Sequence, residues 1–140
     1  MIVLDTNVIS EVLRPAPEPG VLAWLRSIPR REIWICTVVL AELFSGVDLM
    51  PDGKRQRLLR EKMEQLVPTL FMNQVLLFDL SAARAYGPIL VARQARGRPI
   101  DEIDAQIAAT AKVHSATLAT RNIRDFENCG VTLFNPWVTS

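Results

Sequence analysis

Two acidic residues stand where buried strands are expected to end. Asp5 directly follows the apolar run 2–4, and Asp125 lies shortly after the apolar run 117–119. In an open parallel sheet, the ligand site is expected beyond the carboxyl ends of the strands. Both carboxylates are therefore candidate site residues. Polar neighbours could hold or orient them, or a metal-bound water: Thr6, Asn7, Thr120 and Asn122.

Two further acids interrupt apolar surroundings. Glu42 lies within the apolar stretch 38–44, and Asp104 shares a helical face with small apolar residues at positions 107, 108 and 111. A carboxylate in such surroundings costs free energy unless it is hydrogen-bonded, protonated or paired with a cation. Both residues are acids at positions where an apolar side chain would be expected, so we interpret them as functional residues.

Four carboxylates that converge would repel one another and raise their own pKa values, unless a divalent cation neutralises them. The chain has one histidine, His114, and its cysteines, Cys36 and Cys129, are far apart in sequence, which argues against a zinc site and a disulfide framework. Oxygen ligands suit Mg²⁺, with Mn²⁺ as a substitute. One or two such ions can activate water for phosphodiester cleavage.

Length and composition predict a single globular domain over residues 1–140. Hydrophobic residues make up 49% and charged residues 22%, which supplies a core and excludes disorder or a coiled coil as the main state. The formal net charge is only +1, so a nucleic-acid surface would have to be local. The amino-terminal residues lack a secretory pattern and no run approaches the roughly 18 apolar residues of a membrane helix, so we expect a soluble cytoplasmic protein without membrane association.

Short apolar strands alternate with helical patterns along the chain. This alternation predicts an α/β fold, with a parallel five-stranded sheet flanked by helices on both faces. We expect Thr37 and Ser81 to be helix N-caps. We expect the negative charges of Asp101 and Glu102, in the first turn of their helix, to interact favourably with the helix dipole. The predicted strands are 2–4, 33–36, 75–78, 117–119 and 131–134, and the main predicted helices are 8–13, 38–47, 54–66, 82–95 and about 101–114.

Four sequence blocks in this order resemble the PIN-domain ribonucleases of the VapC toxin type. They are the opening 2–11 with Asp-Thr-Asn, the Ala41-Glu42-Leu43 block, the block 104–109 and the block 120–126. Any one block alone is weak, since Asp-Thr-Asn before a helix is ordinary capping. Together they cover nearly the whole chain at separations similar to those of the family.

The resemblance implies a function, a metal site and partners. It implies a metal-dependent RNA endonuclease that leaves a 5′-phosphate and a 3′-hydroxyl, an inhibiting cognate antitoxin, and a homodimer. Carried onto this chain, the metal acids are Asp5, Glu42 and Asp104. Asp125 is a fourth acid that acts directly, through water or by positioning a neighbour. The supporting polar residues are Asn7, Thr120 and Asn122.

Other interpretations stay open at this stage. Asp5 could simply cap the first helix, and Arg93, Arg96 and Arg98 could either serve a helix end or form a phosphate track. The three tryptophans remain unassigned, because nothing in the sequence places them by the acids. Two rival functions are a non-catalytic partner-binding module with the same fold and an acid-pocket phosphotransfer protein. The second lacks the additional acids that it would need, and no phosphate-binding glycine loop is present.

Overall fold

Five parallel strands form the centre of the molecule in the computed structural model, which describes residues 1–138. The strand order is β3-β2-β1-β4-β5, and every neighbouring pair is parallel. The order therefore reverses direction between β1 and β4, which creates a topological switch point at their carboxyl ends. The strands are β1 (Ile2–Leu4), β2 (Ile33–Cys36), β3 (Val75–Leu76), β4 (Thr117–Ala119) and β5 (Thr132–Phe134).

Helices supply the crossovers that parallel strands require. The helices are α1 (Thr6–Val12), α2 (Pro19–Ser27), α3 (Thr37–Asp48), α4 (Lys54–Gln65), α5 (Leu80–Ala95), α6 (Glu102–Val113) and α7 (Ile123–Phe126). A 3₁₀ turn at Arg30–Glu32 precedes β2, and a π-helical turn at Leu66–Leu70 follows α4. None of the helices in residues 1–138 combines the length and the apolar character that crossing a membrane requires.

Both faces of the sheet are covered. Val3 and Leu4 are each fully buried, and so are Leu118 and Ala119. Since successive strand residues point to opposite faces, two buried neighbours mean that side chains pack on each face. The predicted α/β fold with a covered five-stranded parallel sheet is therefore confirmed.

The third strand is shorter than predicted. The expected strand 75–78 ends at Leu76, because β2 pairs with β3 only as far as Cys36 and the chain then turns into α3. The backbone N–H of Phe78 instead donates to the Thr37 hydroxyl at 3.2 Å. Without a strand partner, the last two predicted residues leave the ladder.

Two predicted helix caps are wrong. Thr37 is the first residue of α3 rather than its N-cap, and its hydroxyl is used by Phe78. The cap of α5 is Asp79 and not Ser81, because the Asp79 carboxylate accepts a hydrogen bond from the N–H of Ala82 at 3.1 Å. By contrast, Asp101 lies at the start of α6, where its negative charge was expected. It is the N-cap of this helix, and its carboxylate accepts hydrogen bonds from the N–H groups of Ile103 and Asp104.

A buried arginine joins the end of α5 to two other segments. The Arg93 side chain is 4% exposed; its Nε donates to the carbonyl of Arg98 at 2.7 Å, and its Nη1 donates to the carbonyls of Asp125 and Glu127 at 2.8 and 2.9 Å. The phosphate-track interpretation is therefore wrong for Arg93, since its guanidinium faces backbone carbonyls inside the protein. These contacts tie the segment that leads into α6 to the segment that follows β4.

Replacing Arg93 by Met should destabilise the fold, because three partly buried carbonyls would lose their charged donor. We expect the free energy of unfolding to fall by about 3 kcal/mol in urea denaturation. Arg96→Met is the matched control, since Arg96 is exposed one turn away, and should change stability by less than about 0.5 kcal/mol. Equal losses in the two variants would contradict the assigned role of Arg93.

Candidate functional site

An open cavity of about 530 Å³ lies at the carboxyl end of β1, at the topological switch point. Three of the four acids singled out in the sequence line it, namely Asp5, Glu42 and Asp104. Asp5 directly follows β1, and the other two lie in α3 and α6, so the cavity draws together parts of the chain that are distant in sequence. The other lining residues are Thr6, Asn7, Ser10, Glu11, Arg14, Arg121, Asn122 and Trp137.

Asp5 is buried, with 5% of its surface exposed. Its Oδ1 accepts a hydrogen bond from the N–H of Thr6 at 2.8 Å, and its Oδ2 accepts from the Thr120 hydroxyl, also at 2.8 Å. Burial raises the pKa of Asp5, the two hydrogen bonds lower it in part, and the charges of Glu42 and Asp125 raise it further. The residue does cap α1, as the simpler interpretation held, and it also lines the cavity.

The polar residues expected to support the acids surround Asp5. Thr120 is fully buried, and its hydroxyl accepts hydrogen bonds from the Asn7 amide at 3.2 Å and from the backbone N–H of Asn122 at 3.0 Å. The Asn7 amide nitrogen also donates to Asp5 at 3.3 Å. The Asn7 amide oxygen accepts a hydrogen bond from the backbone N–H of Arg121 at 3.2 Å. The loop after β4 is thereby joined to the start of α1, and Asn122 takes part through its backbone.

Glu42 and Asp104 line the cavity from two helices, α3 and α6. Glu42 is half-buried, and its Oε1 accepts a hydrogen bond from the Thr6 hydroxyl at 2.6 Å. Asp104 lies in the first turn of α6. Burial, as the largest cause, and the negative charges of nearby acids together raise the pKa of Asp104 to about 7; these acids are Asp5, Asp101, Asp125 and Glu42. The three acids therefore interact electrostatically, as convergent carboxylates should.

Asp125 lies apart from the other three acids. Its side chain is exposed on α7 and does not line the cavity, although its charge contributes to the raised pKa values of both Asp5 and Asp104. Its backbone carbonyl is one of the acceptors of Arg93. The structure thus brings Asp125 within electrostatic range of the cavity but not into its lining.

Sequence reasoning missed Glu11 as a cavity residue. Glu11 is 7% exposed, lines the cavity, and accepts hydrogen bonds from Arg14 at 3.3 Å and from the N–H of Glu18 at 3.4 Å. A signal was available, because Glu11 follows the buried Val8 by three residues and so falls on the buried face of α1.

Trp137 was left unassigned but lies in the same cavity. The Cζ of Arg121 lies 5.0 Å from the centre of the Trp137 ring, within the range of a cation–π contact. Trp137 follows the last strand, where no periodic pattern indicates which way a side chain points. Its position therefore could not be read from the sequence.

The donor set fits a hard cation in its chemistry. The acids that line the cavity offer carboxylate oxygens, and no cysteine or histidine is among the lining residues. The raised pKa of Asp104 marks a site in which a positive charge would be stabilising. Within residues 1–138, however, no three His, Cys, Asp or Glu side chains are grouped closely enough to hold one ion together. Mg²⁺ usually retains several waters and binds through one or two carboxylates, so the spacing is compatible with that mode of binding.

The family is decided by a comparison with known domains, in which the model of the PIN domain matches residues 2–130. The chain belongs to the PIN-domain family. Over 98% of its length, this PIN domain is 44% identical to the toxin FitB of Neisseria gonorrhoeae, of which 99% is covered. It is 39% identical to the VapC ribonuclease Y4jK of Sinorhizobium fredii, with 98% of each chain covered.

A solved structure agrees with this assignment. The PIN domain superposes on a chain in the structure of FitAB bound to an IR36 DNA fragment with a TM-score of 0.93 and 43% identity, covering 100% of this chain and 98% of that one. The resemblance to VapC-type toxins is therefore confirmed, and with it the fold. The roles of the individual acids remain predictions.

The raised pKa of Asp104 predicts a pH-dependent stability in metal-free buffer. Because the folded pKa of about 7 lies above the ordinary value of 3.8, the folded state holds this proton more tightly. The stabilisation is fully present below about pH 4 and is lost as the pH rises through about 7. Asp104→Asn removes this titration, so the variant should gain roughly 1–2 kcal/mol on the wild type between pH 5 and pH 8, after solvent screening is allowed for.

This gain corresponds to a relative rise in Tm of roughly 3–8 °C, measured by thermal denaturation with EDTA at both pH values. The control is Asp52→Asn, which alters an exposed acid in the turn between α3 and α4. A Tm difference between Asp104→Asn and wild type that does not change with pH would show that Asp104 is not protonated near neutrality.

Proposed function

We propose that this PIN domain is a divalent-metal-dependent RNA endonuclease and acts in the cytoplasm as the toxin of a toxin–antitoxin pair. The observation that carries the proposal is the convergence of Asp5, Glu42 and Asp104 on one cavity at the switch point of the sheet. The names of the relatives, a toxin and a VapC ribonuclease, support the same activity.

Asp5, Glu42 and Asp104 are the carboxylates from which the ligands of Mg²⁺ or Mn²⁺ would come, one or two of them binding the ion directly and the others through its waters. A bound ion of this kind polarises a phosphoryl oxygen and lowers the pKa of water, which makes phosphodiester hydrolysis accessible near neutral pH. Thr120 and Asn7 hold the Asp5 carboxylate in one orientation, and Thr6 does the same for Glu42. Asp104 must release its proton before it can bind a cation, so its raised pKa couples metal binding to pH.

The hydrolysis that we propose leaves the ends implied by the family. The water oxygen loses a proton and forms the new bond to phosphorus, the bond from phosphorus to the 3′-oxygen breaks, and that oxygen takes up a proton. The products carry a 5′-phosphate and a 3′-hydroxyl. Arg121 of the cavity is available to contact the RNA backbone, whereas Arg14 is paired with Glu11 at 3.3 Å. The net charge of the chain is only +1, so such a contact is local.

A second cavity supports inhibition by a partner protein. It measures about 570 Å³, lies between α1, α3 and α4, and is lined largely by apolar side chains such as Leu13, Leu43 and Leu59. It shares Thr6, Ser10, Arg14 and Glu42 with the acidic cavity. A cognate antitoxin seated there would reach the acids, and the similar solved structure is that of FitAB bound to a DNA fragment. We include a homodimer in the proposal on the family resemblance alone.

The nuclease proposal is tested by incubating total RNA with purified, antitoxin-free protein. We expect discrete fragments with 5′-phosphate ends in Mg²⁺ or Mn²⁺, and none in EDTA. Asp5→Asn and Asp104→Asn should each reduce the cleavage rate by at least about 100-fold, since each removes a proposed ligand of the ion. Glu64→Gln, an exposed acid on α4, is the matched control and should cleave at the wild-type rate.

Absence of cleavage in any metal by correctly folded protein would reject the enzyme and favour the non-catalytic partner-binding module. Full metal-dependent activity in both Asp variants would leave an enzyme but reject this site. A stable phosphorylated protein instead of cut RNA would support the phosphotransfer alternative.

Metal binding should also be visible without any substrate. At a Mg²⁺ concentration about ten times the dissociation constant, binding stabilises the wild type by about 1.4 kcal/mol, which corresponds to a rise in Tm of roughly 4 °C. Asp104→Asn should show a much smaller rise, whereas Glu64→Gln should match the wild type. Identical Mg²⁺-induced shifts in wild type and Asp104→Asn would place the ion elsewhere.

A further inference from the structure

Arg121 and Trp137 form a cation–π pair at the edge of the acidic cavity. The Arg121 Cζ lies 5.0 Å from the centre of the Trp137 ring, and both side chains line the cavity together with Asp5 and Asp104. The two residues come from the segments that follow β4 and β5, which are neighbouring strands. The pair therefore belongs to the same edge of the sheet as the proposed metal ligands.

The backbone on both sides of this pair is anchored. The N–H of Arg121 donates to the Asn7 side chain at 3.2 Å, which connects it to the hydrogen-bond network around Asp5. The N–H of Trp137 donates to the side chain of Asn135 at 2.9 Å, and the half-buried indole packs against the hydrophobic core. Trp137 is thus a fixed aromatic surface, while the Arg121 side chain is exposed.

The Arg121 guanidinium is not engaged by the acids around it. No ion pair within 4.0 Å joins it to a carboxylate of residues 1–138, although four carboxylates line the same cavity. Arg14, the other arginine of the cavity, is by contrast paired with Glu11 at 3.3 Å. Arg121 therefore remains available to an external anion.

We propose that Trp137 and Arg121 form a nucleotide subsite, in which the indole stacks an unpaired RNA base and the guanidinium binds an adjacent phosphate. The inference rests on the proposed nuclease function and deepens it by defining the substrate as single-stranded at this point. The subsite would hold one nucleotide beside the acids and so set which phosphodiester bond reaches them.

Relative interaction strengths favour the replacement of Arg121 by an RNA base on the Trp137 ring. Stacking of a base on an aromatic ring is worth more than an exposed cation–π contact, so Arg121 can leave the ring when a base replaces it. The displaced guanidinium gains a charge-assisted contact to phosphate, which its planar donors suit. A base inside a duplex has no free face to offer the indole, so the subsite selects unpaired RNA, the form in which bases are usually recognised.

Tryptophan fluorescence and binding affinity test the subsite in EDTA, where the proposed cleavage does not occur. The probes are a short single-stranded adenine-rich RNA and a duplex of the same length. We expect the single strand to quench wild-type fluorescence, and Trp137→Leu to lose that quenching and about 10-fold in affinity. Trp137→Phe should regain most of the affinity without the fluorescence signal, since its ring still stacks.

The arginine is tested with a neighbouring residue as control. Arg121→Ala should weaken binding of the single strand and reduce its salt dependence, because one phosphate contact is lost. Arg124→Ala removes an exposed arginine of α7 that does not line the cavity, and should bind as the wild type does. A thermal melt of each variant confirms that it is folded.

Several results would overturn the subsite. These are wild-type affinity in both Trp137→Leu and Arg121→Ala, equal binding of single strand and duplex, or no binding of RNA by the wild type. Quenching by a partner protein but not by RNA would assign the pair to a protein interface instead. Cleavage by the wild type but not by Asp5→Asn, with normal RNA binding in Trp137→Leu, would reject the subsite while the nuclease proposal stands.

Discussion

The parallel pairing of β1 with β4 fixes the position of Asp5, and the rest of the site is built around that carboxylate. The register places Leu4 opposite Ala119, and the N–H of Asp5 continues the pairing by donating to the Ala119 carbonyl at 2.9 Å. The first residue after β4 is Thr120, whose hydroxyl therefore meets the Asp5 side chain. A one-residue shift in register would turn these side chains to opposite faces and leave a buried carboxylate without its donor.

The clustering of acids that the proposed function requires lowers the stability of the folded state. Asp5 and Asp104 both have raised pKa values because they are buried near other acids, so the folded state without a cation carries an electrostatic cost. Hydrogen bonds from Thr6, Asn7 and Thr120 offset part of that cost for Asp5 and Glu42. Within residues 1–138, no group donates a hydrogen bond to the Asp104 carboxylate. The pKa of this residue is the one raised to about 7. Such local instability is typical of sites retained for function rather than stability.

The fold was predictable from the sequence because its main elements are specified locally. Each central strand is a short apolar run that ends at a polar residue, and the helices between them have recognisable apolar faces. The acids at or near strand ends follow from the same pattern, since parallel strands bring their carboxyl ends to one edge. This rule predicts the position of Asp5, whereas Asp125, the other acid near a strand end, lies outside the cavity lining. Glu42 and Asp104 stand out as carboxylates in apolar helical stretches, and their meeting with Asp5 is implied by the resemblance to PIN-domain ribonucleases.

Features that depend on a distant partner could not be predicted in this way. The end of β3 depends on where β2 turns into α3, and the Thr37 hydroxyl is occupied by Phe78 rather than by a cap. The inward position of Arg93 depends on the carbonyls of Asp125 and Glu127, more than thirty residues away. Local patterns contain no information about such contacts, because propensity describes a residue and its near neighbours only.

Arg93 also explains why Asp125 differs from the other acids. The single turn of α7 is held through its backbone, since the Asp125 carbonyl bonds to the buried guanidinium while the carboxylate stays exposed. That arrangement leaves Asp125 outside the cavity lining but close enough for its charge to raise the pKa values of Asp5 and Asp104. Because an electrostatic effect of this kind falls off gradually with distance, whereas coordination requires direct contact, Asp125 can influence the site without being one of its ligands. The electrostatic effect of the Asp125 charge on the pKa values of Asp5 and Asp104 would also persist if the carboxylate were placed slightly differently, whereas direct coordination of an ion would not.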